Sequence, residues 1–280
     1  MKRIAYWTYF NAGDFFRLHF GLLLDTFFKR IPRKIFLAKN ILDYIANENG
    51  QFIKRKDEIC IDLHGTKFIL RTVGSDLDVF NQLIIEQGLK RIIALMNGLQ
   101  RQELNVMDCG ANIGLATILL RKNFPQARII SLEPEKSNYQ QLCKNIEANA
   151  YSNITALPMG VWYEQDVLVS DNTFRDGEHW SFALKPGKVD SNSGVAVNSP
   201  QEIARLQKWG RIDVLKIDIE GSEFALFRNL ERWKSILVNV QIISIEVHEE
   251  VGPLFEIAEL LWQNGFKLEV HGELLIGVRN

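Results

Sequence analysis

Cysteine is scarce in this chain. Three residues, Cys60, Cys109 and Cys143, stand far apart in 280. The number is odd and no pair has metal-ligand spacing, which excludes a disulfide framework and a zinc finger and predicts a reducing, cytoplasmic compartment. A surplus of either charge is also missing. The net charge is -1, which gives no global basis for nucleic-acid binding. There is no internal repeat and no low-complexity tract. An unbroken apolar run is absent too: the stretch from Phe15 to Phe28 is interrupted by Arg17, His19 and Asp25, short of the roughly 20 residues a membrane span needs. The same stretch lacks a small-residue cleavage site, so it reads poorly as a signal peptide.

What is present is a core-forming composition, 46% hydrophobic. A chain of this length can build one large α/β domain with an appendage. Residues 1–45 form that appendage. Aromatics crowd there, and the first 40 residues carry eight cations against two anions. The segment predicts a helical extension whose aromatic face packs on the main domain. A second use is peripheral membrane contact, with Lys29, Arg30, Arg33 and Lys34 on anionic headgroups. Residues 46–280 form the main domain, with its ligand-binding core from about 103. A hairpin is expected over 51–71, turning at His64-Gly65. A helix follows from Asp76 to about Gln87, capped by Ser75 or Asp76, and another over about 90–99.

The organising stretch is Asn105-Val-Met-Asp-Cys-Gly-Ala-Asn-Ile-Gly114. An apolar run ending in a carboxylate, then glycines four apart, then Leu115-Ala-Thr-Ile-Leu-Leu reads as buried strand, tight turn and helix. Glycine lets backbone approach a ligand closely, and the helix start offers free N–H groups. The spacing is not the G-x-G-x-x-G of dinucleotide sites. A carboxylate at the strand end repels a pyrophosphate and suits a ligand with an amino group and a sulfonium, so S-adenosylmethionine is favoured over NAD.

A second strand, Arg128 to Leu132, ends in Glu133-Pro134, 25 residues after Asp108. An acidic side chain there can accept hydrogen bonds from both hydroxyls of a ribose. A helix over about 137–148 and a strand over 154–161 come next. Residues 163–200 read as short strands and turns, with His179 and Trp180 as residues that can line a substrate mouth. Ser199-Pro200-Gln201-Glu202 starts a helix with a capping serine, proline at the first helical position and glutamate three after the cap.

Arg211 to Glu223 is the second informative stretch. A buried strand carries Asp218 and Glu220 at its end, followed by Gly221. Strand 241–248 ends in Glu246 and His248. Carboxylates at the ends of core strands are costly unless used or paired, and strand C-terminal ends are where open α/β sheets bind ligands. These four are the candidate catalytic residues. An alcohol is a very weak acid, so a base that removes its proton as a bond forms accelerates transfer. His248, with an ordinary pKa of about 6.5, suits that task, and Glu220 is the alternative. Asp218, Glu220 and His248 also have ligand chemistry for a divalent cation, but nothing in their spacing demands one and no metal is expected. A helix over about 254–264 and two closing strands complete a doubly wound, mostly parallel sheet with a terminal antiparallel strand.

Taken together, D-C-G-A-N-I-G (108–114), L-E-P (132–134) with the helix from Asn138 to Asn145, K-I-D-I-E-G-S-E (216–223) and E-V-H (246–248) make the chain resemble the FkbM family of S-adenosylmethionine-dependent methyltransferases. The resemblance covers about 70–275. It implies a seven-stranded Rossmann-like sheet of order 3-2-1-4-5-7-6. It further implies that Asp108, Gly110, Ala111, Asn112 and Gly114 hold the methionine part of the cofactor, Glu133 and Pro134 the ribose, and Met159, Gly160 and Val161 the adenine. Of the candidate catalytic residues, Asp218 is expected nearer the cofactor and substrate. Members typically methylate hydroxyl oxygens on sugars, glycans and natural products. Three rivals are a non-catalytic cofactor-binding module, an NAD enzyme, which the missing third glycine disfavours, and an N-methyltransferase.

Overall fold

The computed structural model describes residues 33–171, 183–187, 194–271 and 273–279. Most of the aromatic, basic extension therefore lies outside the described residues, as do His179 and Trp180. The chain divides into a unit ending at Gly88 and a unit from Leu89 onward. Among the described residues no helix is long and apolar enough to cross a membrane.

The first unit opens with α1 (Arg33–Asn47). Leu37, Ala38, Ile41, Leu42 and Ile45 are its buried residues, a stripe three to four residues apart as one helix face requires. Strands β1 (Gln51–Lys54), β2 (Glu58–Leu63) and β3 (Thr66–Arg71) form an antiparallel meander in that order. Burial alternates along β2 and β3, and their turn, His64-Gly65, has positive φ at both residues, as a two-residue hairpin requires. The expected helix to Gln87 is shorter and less regular: α2 (Asp76–Phe80) runs into a π-helical turn, Asn81–Ile85. Its expected cap is also absent. Ser75 makes no side-chain cap bond, and the buried Asp76 carboxylate instead accepts the Arg71 amide at 2.7 Å and its guanidinium at 2.7 Å.

The second unit runs α3 (Lys90–Gly98), β4 (Asn105–Cys109), α4 (Leu115–Asn123), β5 (Arg128–Leu132), α5 (Lys136–Ala148), β6 (Ile154–Leu157), β7 (Gly160–Val161), β8 (Asp166–Asp171), β9 (Ala183–Lys185) and β10 (Gly194–Asn198). It continues with α6 (Pro200–Leu206), β11 (Ile212–Ile217), α7 (Glu223–Phe227), α8 (Leu230–Leu237), β12 (Val240–Glu246), α9 (Leu254–Gln263), β13 (Phe266–His271) and β14 (Leu274–Arg279). The large sheet has the order β13-β14-β12-β11-β4-β5-β6. Strands β6, β5, β4, β11 and β12 pair in parallel, and β14 is antiparallel to both neighbours. This is the expected doubly wound α/β fold. Strands β4 and β11 are buried at every residue, which is why they are predominantly apolar without alternation. Order reverses between β4 and β11, so the crevice at their C-terminal ends is the topological switch point where such sheets bind ligands.

Two local differences have physical causes. The single strand expected over 154–161 breaks at Pro158, which has no N–H to donate to a ladder. Residues 154–157 stay in the large sheet, and 160–161 join a small one of order β7-β10-β8-β9. The start of α6 uses only half of its capping box: Ser199 Oγ accepts the Glu202 amide at 3.1 Å, but the Glu202 carboxylate turns to Arg205 and Asn198 Oδ1 accepts the Ser199 amide. Ser199→Ala is expected to lower stability by about 1 kcal/mol, read as a lower urea midpoint at unchanged slope. An unchanged midpoint would show that the cap contributes nothing.

At the opposite end of the sheet, Asp213 is fully buried yet satisfied. It accepts from the Asn105 amide at 2.8 Å, Arg101 at 2.9 Å and Arg211 at 2.6 Å. The core between sheet and helices includes Trp233, whose indole N–H donates to Leu226 O at 2.6 Å and whose ring lies 4.3 Å from that of Phe227.

Candidate active site

The turn after β4 is built on two glycines with positive φ. Gly110 has φ 78°, and a Cβ there would fall 1.6 Å from the Asp218 carbonyl oxygen. The turns after β4 and β11 thus touch backbone to backbone, and the Asp218 amide donates to Cys109 O at 3.0 Å. Gly114 has φ 85°, and a Cβ there would meet Leu142 at 2.4 Å. Its demand comes from packing against α5. Asn145 on α5 ties the same turn down by donating to Ile113 O at 2.8 Å.

A cavity with about 560 Å³ of empty space, open solvent included, lies at these strand ends. It brings together Gly110 and Asn112 after β4, Glu133 and Pro134 after β5, Gly160 and Val161 on β7, and Asp218 and Glu220 after β11. It leaves out Asp108, Ala111, Gly114, Met159, Glu246 and His248. Asp108 is fully buried; it accepts from Thr117 Oγ at 2.8 Å and lies 3.3 Å from Lys216 Nζ. Asn138, Leu184, Ile219 and Ser222 also line the cavity, and sequence reasoning assigned them no site role. Ile219 and Ser222 sat inside a recognised motif that was read for its carboxylates. Asn138 opened the helix after L-E-P. Leu184 carried no signal, because its place depends on the pairing of the small sheet.

Glu133 is almost fully buried. One oxygen accepts the Asn112 amide at 2.7 Å, the other the Glu135 amide at 2.9 Å. Burial pushes its carboxyl up to about 8, against those two N–H groups, which favour the anion. Each carboxylate oxygen has a second lone pair left for a ligand.

The acidic side is organised by two cations of the chain. Lys216 Nζ lies 3.1 Å from Asp218 and 3.3 Å from Asp108. Burial opposes its charge, but Asp218, Asp108 and Glu246 outweigh that and raise its pKa. His248 lies between Glu223 at 3.0 Å from Nδ1 and Glu220 at 3.4 Å from Nε2. Burial opposes its charge too, but the bonds to Glu220 and Glu223 prevail and push it up to about 11. The two carboxylates favour the charged ring. Nδ1 also accepts the Gly221 amide at 3.2 Å. The expectation of His248 as an imidazole base did not include these flanking carboxylates, which strand spacing does not show. Glu246 is pushed up to about 8, first by neighbouring Asp218 and then by burial.

Asp218, Glu246 and His248 bring three potential ligand atoms within 4.8 Å of one another. The positive charge they call for is supplied by the chain: Lys216 stands against Asp218, and His248 has both ring nitrogens against carboxylates. Glu220 has φ 53°, a left-handed conformation that is unfavourable for a non-glycine residue and recurs at functional sites.

The fold and this crevice define a Rossmann-like α/β protein with an acidic ligand site at the switch point. The chain belongs to the FkbM methyltransferase family, whose domain model matches residues 108–268. The chain is similar to the methyltransferase sdnD of Sordaria araneosa, 29% identical over 194 residues, covering 58% of this chain and 73% of that protein. Methyltransferase 1 of Beauveria bassiana is 25% identical over 187 residues, covering 59% and 73%. Among solved structures, a SAM-dependent methyltransferase from Agrobacterium tumefaciens aligns with TM-score 0.45 and 11% identity, over 80% of this chain and 70% of that one.

Proposed function

We propose that this methyltransferase uses S-adenosylmethionine and methylates a hydroxyl oxygen of a sugar, glycan or natural product. The observation that carries the reading is the pairing of groups across one cavity: buried Glu133 on one side, Asp218 and Glu220 on the other. The residues fit the cofactor. Glu133 is a diol acceptor for a ribose, Gly110 and Gly160 bring backbone to the cavity wall, and the carboxylates suit a ligand that carries an ammonium and a sulfonium. When bound, S-adenosylmethionine supplies a methyl group open to in-line attack.

The chain's own residues do the rest. Glu220 faces the cavity and takes the proton of the acceptor hydroxyl. His248 holds Glu220 from behind, while Lys216 fixes Asp218 beside it. A positioned base contributes about 10²–10⁴-fold, and alignment of the reacting atoms contributes further.

Calorimetry with S-adenosylhomocysteine, against NAD⁺ as control, tests the cofactor. Micromolar binding of the first ligand alone is expected. Glu133→Ala should weaken it by about 30-fold, as two hydrogen bonds of about 1 kcal/mol each are lost. Glu220→Gln should keep that binding and lower turnover by about 10²–10⁴-fold, measured as S-adenosylhomocysteine released from a panel of sugar hydroxyl acceptors. Wild-type turnover in Glu220→Gln would remove Glu220 as the base. A folded wild type that binds no S-adenosylhomocysteine would sink the cofactor reading.

A further inference from the structure

Ser222 lines the cavity, and among the described residues its hydroxyl bonds to Leu184. Its Oγ accepts the Leu184 amide at 2.8 Å and donates to the Leu184 carbonyl at 3.1 Å. A hydroxyl is both donor and acceptor, so one side chain satisfies both backbone groups of Leu184. Leu184 is the middle residue of β9, an edge strand of the small sheet, and sits opposite Ser170 of β8. An edge strand leaves backbone groups unpaired, and Ser222 takes up those of Leu184.

The Leu184 side chain is buried and also lines the cavity. It packs over Gly160, where an added Cβ would come within 2.5 Å of Leu184 Cδ1. Ser222 belongs to the turn that presents Asp218 and Glu220. The two hydrogen bonds therefore join the turn that carries the acidic groups to an apolar residue of the same cavity.

We propose that Ser222 is a positioning residue that clamps Leu184 over the ligand in this cavity, so that β9 and the 218–222 turn hold it together. The inference rests on the cofactor reading above. The clamp acts mainly on ligand escape, so its loss is read in the dissociation rate.

The test is S-adenosylhomocysteine binding to the full chain as wild type, Ser222→Ala, Leu184→Ala and the double variant, with amide exchange at Leu184 followed alongside. Ser222→Ala is expected to weaken binding about tenfold, because Leu184 must then be ordered on binding instead of beforehand, with faster Leu184 exchange. Leu184→Ala should weaken it by a similar factor. The double variant should bind no worse than the weaker single, because both changes cut one linkage. Ser222→Cys keeps the size without a strong donor and should reproduce the loss even if alanine impairs folding. Additive losses in the double variant overturn the clamp, as does wild-type affinity in Ser222→Ala; both leave the cofactor reading intact. Absence of binding by the folded wild type overturns the cofactor reading and this inference with it.

Discussion

Gly110→Ala is expected to lower stability by more than about 4 kcal/mol and to abolish S-adenosylhomocysteine binding, a loss in the exceptional range for a single substitution. Two costs combine. A φ of 78° costs a residue with a Cβ about 1–2 kcal/mol. The larger cost is steric: the methyl carbon would sit 1.6 Å from the Asp218 carbonyl oxygen. That carbonyl cannot retreat freely, because the Asp218 amide is bonded to Cys109 O at 3.0 Å. Relief requires β4 and β11 to separate at their ends, where the cavity lies. Gly65→Ala is the control. Gly65 has a similar φ of 84° with nothing within 4 Å of an added Cβ, so only the conformational cost of about 1–2 kcal/mol is expected. Urea unfolding of both variants decides the matter. Equal, small losses would mean that the contact between the two turns is soft and that Gly110 serves conformation alone.

His248→Gln should be almost as damaging, and its signature should depend on pH. Removing one partner of a buried ion pair costs about 3–5 kcal/mol, and here two carboxylates lose their shared cation. Glu223 is fully buried and one of its oxygens already lacks a hydrogen-bond partner. In the wild type, His248 rises from 6.5 to about 11 on folding. Its contribution is fully present below pH 6.5 and is lost as pH rises toward 11. Glu133 and Glu246 rise from 4.5 to about 8. Between those values the folded chain holds protons that the unfolded chain has released, so these groups also make stability fall with rising pH. Urea midpoints of the wild type should therefore decline from pH 5 to pH 9. In His248→Gln the decline above pH 7 should flatten, as the titrating ring is gone. Parallel slopes in the two proteins would show that the ring is not the protonated partner of Glu220 and Glu223.

Sequence spacing leaves the surroundings of this histidine open. Glu246-Val247-His248 at a strand end shows that a histidine reaches the ligand edge of the sheet. It does not show that Glu220 and Glu223, 28 and 25 residues earlier, close on the ring from both sides. Local spacing gives a residue's place on its own strand. The protonation state depends on neighbours from other elements.

The same division runs through the rest of the molecule. Mostly apolar runs in β4, β5, β11 and β12 announced a parallel sheet because strands covered on both faces are predominantly apolar. Gly110 announced a tight turn because few other residues accept its conformation. Glu133 announced a polar ligand because a carboxylate ending a buried strand needs partners. These follow from residue type and periodicity, so the sequence by itself determined the fold class, the order of elements and the end of the sheet that holds the cavity. Tertiary structure alone decided that Gly114 answers to Leu142, that Asp108 turns inward to Thr117 and Lys216 instead of lining the cavity, that His248 sits between two carboxylates, and that Ser222 grips Leu184. Each of those rests on contacts between residues distant in the chain, set by how strands and helices pack, and no local pattern records which side chains will meet.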